Sequence, residues 1–440
     1  MDIFFTNSFT SQKERFVPYS ASNVKMYVCG PTVYDRIHMG NARSIFTFDI
    51  LYKLLKEFYT VTYVRNITDI DDKIITTSIK HSKDIKTFTT EMIKNFHEDT
   101  RDLRCEPPCF EPKATDNVDV IIEMISTLLA KEHAYVVKDH VYFSVDSFKN
   151  YGNLSNKNLS ELKPGIRVAK VLDKRSPLDF VLWKPTKTNE TLYFNSPWGR
   201  GRPGWHIECS AMSKRFLGNQ IDIHGGGIDL LFPHHENERA QSQCESQDNK
   251  FVKYWIHNGL VTIEGSKMSK SLSNFTTLRD LLDRGVSPAV IRYFFLTTHY
   301  RKPLDFNYKA IDTAQKNIDK INSFCNSHES KESSSLPQEF LHYLADDLNT
   351  PKVLAYLHQL MLTKDTGHQD RLRDCCKFLG LLETKQSISD NIKILAQTRQ
   401  KYKEQKNWIQ SDIIRREIER KGYKISDQGN NYTITKNNKL

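Results

Sequence analysis

The run Lys267-Met268-Ser269-Lys270-Ser271 sets two lysines three residues apart among small hydroxyl side chains, directly after the strand-like Leu260-Val261-Thr262-Ile263. Two mobile cations of this kind can follow a polyanion as its charge moves towards a leaving group, so the segment suits phosphoryl or nucleotidyl transfer. Alone, a Lys-x-x-Lys loop is most often a solvated basic surface, and a second phosphate-facing motif is needed to decide the matter. His38-Met39-Gly40-Asn41 supplies one. Its glycine lets phosphates approach the backbone, the helix N-terminus behind it favours anions, and His38 and Asn41 can donate hydrogen bonds. Neither a G-x-x-x-x-G-K-[ST] loop nor a G-x-G-x-x-G fingerprint occurs, so the commonest phosphate and dinucleotide motifs are excluded.

A separate cluster has metal-ligand chemistry. His234 and Glu238 stand four apart on a helix expected to open at Pro233, so both project from one face about a turn apart. Sulfur ligands then have to come from elsewhere in the chain. Cys29 closes a strand beside the His38 turn, and Cys209 lies in Gly204-Trp205-His206-Ile207-Glu208-Cys209. Two thiolates, an imidazole and a carboxylate suit zinc. Buried structural cysteines are common, and Cys105 and Cys109 also carry a short spacing, although Pro107 and Pro108 lie between them with no nearby histidine pair. His235 points to another face than His234 and is read as a substrate or structural contact.

These residues need elements to carry them. Residues 25–30 read as a buried strand broken at Gly30-Pro31, Asn41 to about Phe58 as a helix, and Tyr59 to Ile67 as a second strand, which together make a parallel βαβ unit. The stretch 116–200 reads as an insertion, with a helix over Val118 to Lys131, short strands at 135–137 and 141–145, and then loops. A second β/α stretch follows, with Gln220 to His224 as strand and Gly225-Gly226-Gly227 as loop. If the two halves pack as one parallel sheet, Cys29, Cys209, His234 and Glu238 can converge at its carboxyl edge, where ligands usually bind. The chain is largely helical after Ser287. Ser327 to Pro337 reads as a linker, Asn391 to Lys421 as a charged helix, and Tyr423 to Thr435 as a hairpin.

At 440 residues the chain is long enough for about three domains. No apolar run approaches the roughly 20 residues that span a bilayer. Met1 to Thr6 lacks a basic region followed by an apolar stretch, so a cytoplasmic protein is expected. Eight cysteines do not make a dense disulfide framework here, which favours reduced thiols or metal ligands. Of the net charge of +10, the last fifty residues hold twelve Lys or Arg against five Asp or Glu. A basic tail on a nearly balanced body points to a nucleic-acid partner. Trp408, Tyr423 and Tyr432 accompany Arg415, Arg416, Lys421 and Lys424 there, a mixture that suits unstacked RNA bases, although Trp408 by itself reads as a core residue.

The pairing of His38-x-Gly40-Asn41 with Lys267 to Ser271 resembles the class I aminoacyl-tRNA synthetases. The lysine signature matches throughout, whereas Asn41 stands where the family usually has histidine. Tyr27 to Asp35, Asn66 to Lys73, Gly201 to Met212, Asp222 to Glu238 and, more loosely, Asp346-Asp347-Leu348-Asn349-Thr350-Pro351 narrow the resemblance to the cysteinyl-tRNA synthetase family. That resemblance implies an α/β fold, with a Rossmann-type parallel-sheet catalytic domain, an inserted connective subdomain, a mostly helical C-terminal region and a small basic anticodon-binding tail domain. The expected divisions are 1–115 and 201–265 for the catalytic halves, 116–200 for the insertion, 266–326 for the lysine loop and stem-contact region, 327–387 for a helical domain and 388–440 for the tail.

It further implies that Cys29, Cys209, His234 and Glu238 bind one zinc ion. His38, Asn41, Lys267 and Lys270 would carry catalysis. Gly40, Gly227, Asp229 and Lys270 would hold ATP, with Mg²⁺ alongside, and Thr68 and Trp205 would line the cysteine pocket. L-cysteine would be joined to AMP and then to the 3′ end of tRNA(Cys), by a monomer with no membrane contact. Zinc explains selection of cysteine, because an apolar pocket struggles to reject the near-isostere serine whereas zinc favours a thiolate. Two rivals share the body: a ligase joining cysteine to an amino sugar without tRNA, which has no need of the basic tail, and a synthetase-derived RNA-binding regulatory protein, which has no need of a pyrophosphate clamp.

Overall fold

The computed structural model describes residues 1–157, 174–186, 192–246, 250–263, 265–267, 275–326, 335–362, 365–382, 390–421, 423–428 and 431–436. Lys270 and the remainder of 268–274 lie outside them, and Lys267 is described in its backbone only.

A short antiparallel hairpin, β1 (Phe4–Asn7) and β2 (Gln12–Arg15), precedes the central sheet. Strand β3 (Asn23–Val28) leads through the His38 turn into helix α1 (Met39–Lys56), which returns the chain to β4 (Thr60–Arg65), parallel to β3. Helices α2 (Asp72–Lys80) and α3 (Ile85–Asp102) follow, each capped by an aspartate, Asp71 or Asp84, whose side chain accepts from a first-turn amide. The insertion contributes α4 (Val118–Ala130), β5 (Ala134–Val137), β6 (His140–Phe143) and β7 (Phe180–Pro185), and β8 (Gly201–Pro203) completes its antiparallel sheet in the order β5-β6-β7-β8. The segment read as loops beyond Val145 therefore includes a strand, Phe180-Val181-Leu182-Trp183, whose Leu182 and Trp183 are fully buried.

Helix α5 (Trp205–Leu217) enters the second half, followed by β9 (Ile221–Gly227), α6 (Glu236–Ser246) and β10 (Val252–Asn258). The central sheet has the order β10-β9-β3-β4 and every pairing in it is parallel. The chain leaves β3 towards β4 and comes back on the other side at β9, so the strand order reverses between β3 and β9. A crevice opens at the carboxyl ends of strands at such a switch point. Buried side chains of α1 pack on one face of this sheet, while Cys209, Met212 and Leu217 of α5 pack on the other with Tyr27, Val64 and Trp255.

Two boundaries differ from the sequence reading. Gly225 to Gly227 are strand, not loop: the Phe48 ring of α1 lies so close that a Cβ on Gly225 would fall 2.2 Å from it, so glycine here admits a packed aromatic. The helix carrying Glu238 opens at Glu236, because Phe232 keeps extended dihedrals (φ −141°, ψ 131°) within the wide turn Leu231–His235.

The sheet is followed by β11 (Val261–Ile263), β12 (Ser266–Lys267), α7 (Leu278–Asp283), α8 (Pro288–Leu296) and β13 (Leu304–Phe306). Helices α9 (Tyr308–Cys325), α10 (Gln338–Ala345), α11 (Thr350–Leu360) and α12 (Thr366–Leu379) share one apolar core with α1 and α8. The tail has its own small core, formed by α13 (Asp390–Glu404), α14 (Trp408–Arg420) and the hairpin β14 (Tyr423–Gln428) and β15 (Asn431–Lys436). The single charged helix expected over 391–421 is thus two, broken where Lys406 takes a positive φ of 59° and the Asn407 side chain caps α14 by accepting from Gln410. Trp408, read from sequence as core, is 58% exposed, because Ile414 and Ile418 supply the buried face of α14. Among the described residues no helix is long and apolar enough to cross a membrane.

Candidate active site and metal centre

Strand β3 delivers Cys29 to the switch point, where its backbone amide donates to the carbonyl of Gly225 at 3.1 Å. Helix α5 brings Cys209 from the opposite face, and the turn into α6 brings His234 and Glu238. One donor atom from each of Cys29, Cys209, His234 and Glu238 lies within 4.8 Å of the others. The two sulfurs are 3.7 Å apart, Cys29 Sγ is 3.2 Å from Glu238 Oε1, and His234 Nε2 is 3.1 Å from the same oxygen. Two bonds of about 2.3 Å meeting at a tetrahedral angle would hold sulfurs at about this separation.

The electrostatics also fit a cation. Buried Glu238 is kept well below the ordinary carboxylate range: burial alone would raise it, but His224 and His234 outweigh that. His234 is pushed up to about 10, with burial opposing the pull of the Glu238 carboxylate and the Cys209 sulfur. Cys209 is lowered to about 6, first by the hydrogen bond from Cys29, against burial, whereas burial raises Cys29. An ionised carboxylate and an acidified thiol are thus brought together in a buried place. Among the described residues Glu238 Oε2 is buried with His224 Nε2, at 3.3 Å, as its near polar neighbour.

Orientation is set one contact further out. His234 Nδ1 lies 2.8 Å from His206 Nδ1, and burial followed by the neighbouring His234 holds His206 well below its usual range. A neutral His206 can accept from His234 Nδ1, which leaves His234 Nε2, 3.1 Å from Glu238 Oε1, as the nitrogen that a metal ion would claim by displacing its proton. Trp205 packs against His234 with ring centroids 4.2 Å apart and the planes tilted by 40°.

A second donor set overlaps the first. Cys29, His224, His235 and Glu238 also bring one donor atom each within 4.8 Å, with His224 Nε2 at 3.3 Å from Glu238 Oε2. His235, read from sequence as pointing elsewhere, bonds through Nδ1 to His257 at 2.7 Å and presents Nε2 at 3.9 Å from Glu238. Sequence reasoning passed over His206, His224 and His257. The signal for His224 was a second polar residue, after Asp222, inside a strand that alternates them with Ile221 and Ile223.

Outward from the cluster lies a cavity of ≈ 330 Å³. Cys29 and Trp205 line it next to His38, Gly40, Asn41, Gly227 and Asp229, so the carboxyl ends of both β3 and β9 contribute. His38 is the N-cap of α1: its Nδ1 accepts from the Asn41 backbone amide at 3.2 Å, which places the ring proton on Nε2. Thr68 is buried behind this wall. Its backbone bridges Thr32, which does line the cavity, and its hydroxyl donates to Glu208 at 3.0 Å. Lys267 pairs with Thr262 in the β11–β12 hairpin, and Phe275, the first described residue after the lysine segment, lines the cavity and packs its ring edge-on against His38 at 5.4 Å. The two ends of that segment thus flank the His38 turn.

In the tail, Trp408, Arg416, Lys421 and Lys424 are exposed, while Tyr423 and Tyr432 pack partly against the small core.

Residues 15–316 match the family model described as tRNA synthetases class I (C) catalytic domain. Over 99% of its length the chain is 45% identical to a cysteine–tRNA ligase of Rickettsia prowazekii, of which it covers 99%. It is also 45% identical to one of Pelagibacter ubique, covering 97% of both chains. Among solved structures it is similar to a methionyl-tRNA synthetase of Mycobacterium tuberculosis in complex with methionyl-adenylate, with a TM-score of 0.58 at 11% identity, covering 82% of this chain and 90% of that one.

Proposed function

Since the chain belongs to the cysteine–tRNA ligase family of the class I synthetases, we propose that it joins L-cysteine to AMP at the expense of ATP and then esterifies the 3′ end of tRNA(Cys). The observation that carries this reading is the meeting of Cys29, Cys209, His234 and Glu238 at the wall of the cavity that also holds the His38 turn. Selection of a thiol and handling of phosphates are then next to each other, as adenylation of cysteine demands.

These positions, together with the family resemblance for Lys267 and Lys270, support the following roles. Cys29, Cys209, His234 and Glu238 hold zinc, which when bound supplies a soft cation that separates a thiolate from a hydroxyl. Trp205 closes the amino-acid side of the cavity, and Thr68 acts from behind it through Glu208. Gly227 and Asp229, at the end of β9, face the adenosine. Gly40 gives the phosphates access to the N-terminus of α1, and the Nε2–H of His38 and the side-chain amide of Asn41 donate to them. The cysteine carboxylate attacks the α-phosphorus, the bond to the bridging oxygen breaks, and pyrophosphate departs with its charge met by Lys267, Lys270 and Mg²⁺. No covalent bond to the protein is needed. The tail 388–440 reads the tRNA, with exposed Trp408 among its cations as a stacking surface. The protein works as a cytoplasmic monomer.

Pyrophosphate exchange into ATP, run with cysteine and with serine and followed by transfer to tRNA, tests the assignment. Cysteine-dependent exchange followed by transfer is expected. Exchange without transfer would instead mark a tRNA-independent cysteine ligase, and no exchange a binding protein.

A further inference from the structure

We propose that Arg43 is a positioning residue for adenylate formation, clamping the stem of the lysine loop against the helix that carries the His38 turn. The proposal rests on the adenylating reading above. Arg43 lies on α1 just beyond Asn41 and is 1% exposed. Its Nη1 donates to the carbonyls of Gly259 and Leu260, both at 3.0 Å, and its Nη2 to those of Lys302 at 2.7 Å and His299 at 3.3 Å. All four acceptors are backbone. Among the described residues no carboxylate pairs with it, and burial pulls the guanidinium down to about 10. Burying a charge with only carbonyl dipoles around it is costly, and a neutral side chain would fill the space more cheaply unless the bridge itself is used.

The bridged segments form the base of the loop. Gly259 and Leu260 line the cavity and run directly into β11, whose Thr262 faces Lys267 across the hairpin. His299 to Lys302 runs into β13, whose Leu304 pairs with Val261. The two segments touch backbone to backbone, with the Gly259 amide 2.8 Å from the Tyr300 carbonyl and the Leu304 amide 2.9 Å from that of Leu260. Only glycine permits this at 259, since a Cβ there would stand 2.4 Å from the Lys302 carbonyl oxygen. A planar guanidinium with two terminal nitrogens can hold both segments at once, which a single ammonium cannot do.

The far side of the loop is tied to the same turn by backbone. Met39 donates to the Thr276 carbonyl at 3.1 Å and Leu278 to that of Ile37 at 3.0 Å. Entry and exit of the lysine segment are therefore both fastened to the first turns of α1, and Arg43 supplies the entry tie. Its effect falls on how Lys267 and Lys270 are presented to the phosphates, and the cysteine cluster on the other side of β3 is untouched.

Two variants, Arg43→Gln and Arg43→Lys, test this by pyrophosphate exchange per active site and by amide hydrogen exchange. Turnover falls about tenfold or more in Arg43→Gln and less in Arg43→Lys, while the KM for cysteine stays within about twofold. The Gly259 and Leu304 amides exchange faster in both variants, and those of Cys29 and Val33 do not. Unchanged turnover, unchanged exchange at Gly259 and Leu304, or a parallel loss of turnover and cysteine affinity with faster exchange across the whole sheet would each overturn the proposal. If the unaltered protein shows no cysteine-dependent pyrophosphate exchange, the adenylating reading fails, whereas the hydrogen-exchange comparison still decides whether the clamp exists. If Arg43→Gln does not fold, Arg43→Lys carries the same comparison.

Discussion

Gly30→Ala should damage catalysis out of proportion to its size. The Gly30 amide donates to Asn66 Oδ1 at 2.9 Å, and a Cβ on Gly30 would fall 1.7 Å from the Asn66 carbonyl oxygen and 2.8 Å from its carbon. Neither atom belongs to a side chain that can swing away. Ordinary contact begins near 3.4 Å, so the connections after β3 and β4 would have to part by about 1.7 Å. Overpacking of this kind costs about 1–3 kcal/mol of stability. The larger effect is on geometry, because Cys29 is the preceding residue and its sulfur stands only 3.2 Å from Glu238. Metal-ligand distances tolerate errors of about 0.2 Å, and misplacement of reacting groups by about 1 Å can cost about 10²-fold in rate. The assay is cysteine-dependent pyrophosphate exchange, with thermal melting and bound zinc measured on the same preparation. A turnover within about threefold of the unaltered protein, with unchanged zinc, would refute the claim that the β3–β4 contact positions Cys29.

Three further outcomes are expected. Cys209→Ser should lower bound zinc and cysteine affinity together, each by about tenfold or more, because serine offers no thiolate; equilibrium dialysis and exchange kinetics read both. Lys270→Ala should lose about 10²-fold in exchange turnover and keep its preference for cysteine over serine, since a developing charge on pyrophosphate is felt only in the transition state; a lost preference would count against this. Asp72 holds Lys184 at 2.8 Å and Arg202 at 2.5 Å and so ties α2 to the inserted sheet. Burial would raise its carboxyl, but Lys184 and Arg202 take it down to about 2. A depressed carboxylate stabilises the fold above its unfolded pKa of about 3.9, and that share is lost as pH falls towards 2. With the side chain 57% exposed, screening keeps the contribution to about 1 kcal/mol or less. Asp72→Asn should accordingly melt slightly lower than the unaltered protein at pH 7 and no differently near pH 2.

The motifs with short-range logic were legible from sequence. His38 to Asn41 form a helix entry whatever the tertiary context, and His234 and Glu238 are held together by a spacing of four even though regular helix starts three residues later than Pro233 suggested. Cys29 and Cys209 could be joined only by assuming that the two β/α halves share one parallel sheet, as they do at β3 and β9. Where the reading strayed, long-range packing decided. Glycines 225 to 227 look like a loop until Phe48 is seen lying on Gly225 and His235 and Leu230 on Gly226, and Trp408 looks like core until Ile414 and Ile418 take the buried side of its helix.

Arg43 was invisible for the same reason. In sequence it is one more cation on a helix; its four acceptors come from residues more than two hundred positions away, and they are carbonyls, which leave no trace in residue type. The histidines around Glu238 show a related difficulty. His224 and His235 each belong to a buried element, so hydrophobic periodicity accounts for their burial without asking what their nitrogens face. Yet a second set of donors built on the same Cys29 and Glu238 has a consequence that the first set alone does not. Because both sets share those two residues, His224 and His235 cannot complete a separate centre while Cys209 and His234 hold an ion. His224 bears instead on Glu238, whose buried carboxylate is kept low, against burial, first by His224 and then by His234. A ligand set selected only for metal would not need that support. One that must also leave room for a substrate sulfur benefits from a carboxylate whose charge is secured by its neighbours rather than by the ion alone.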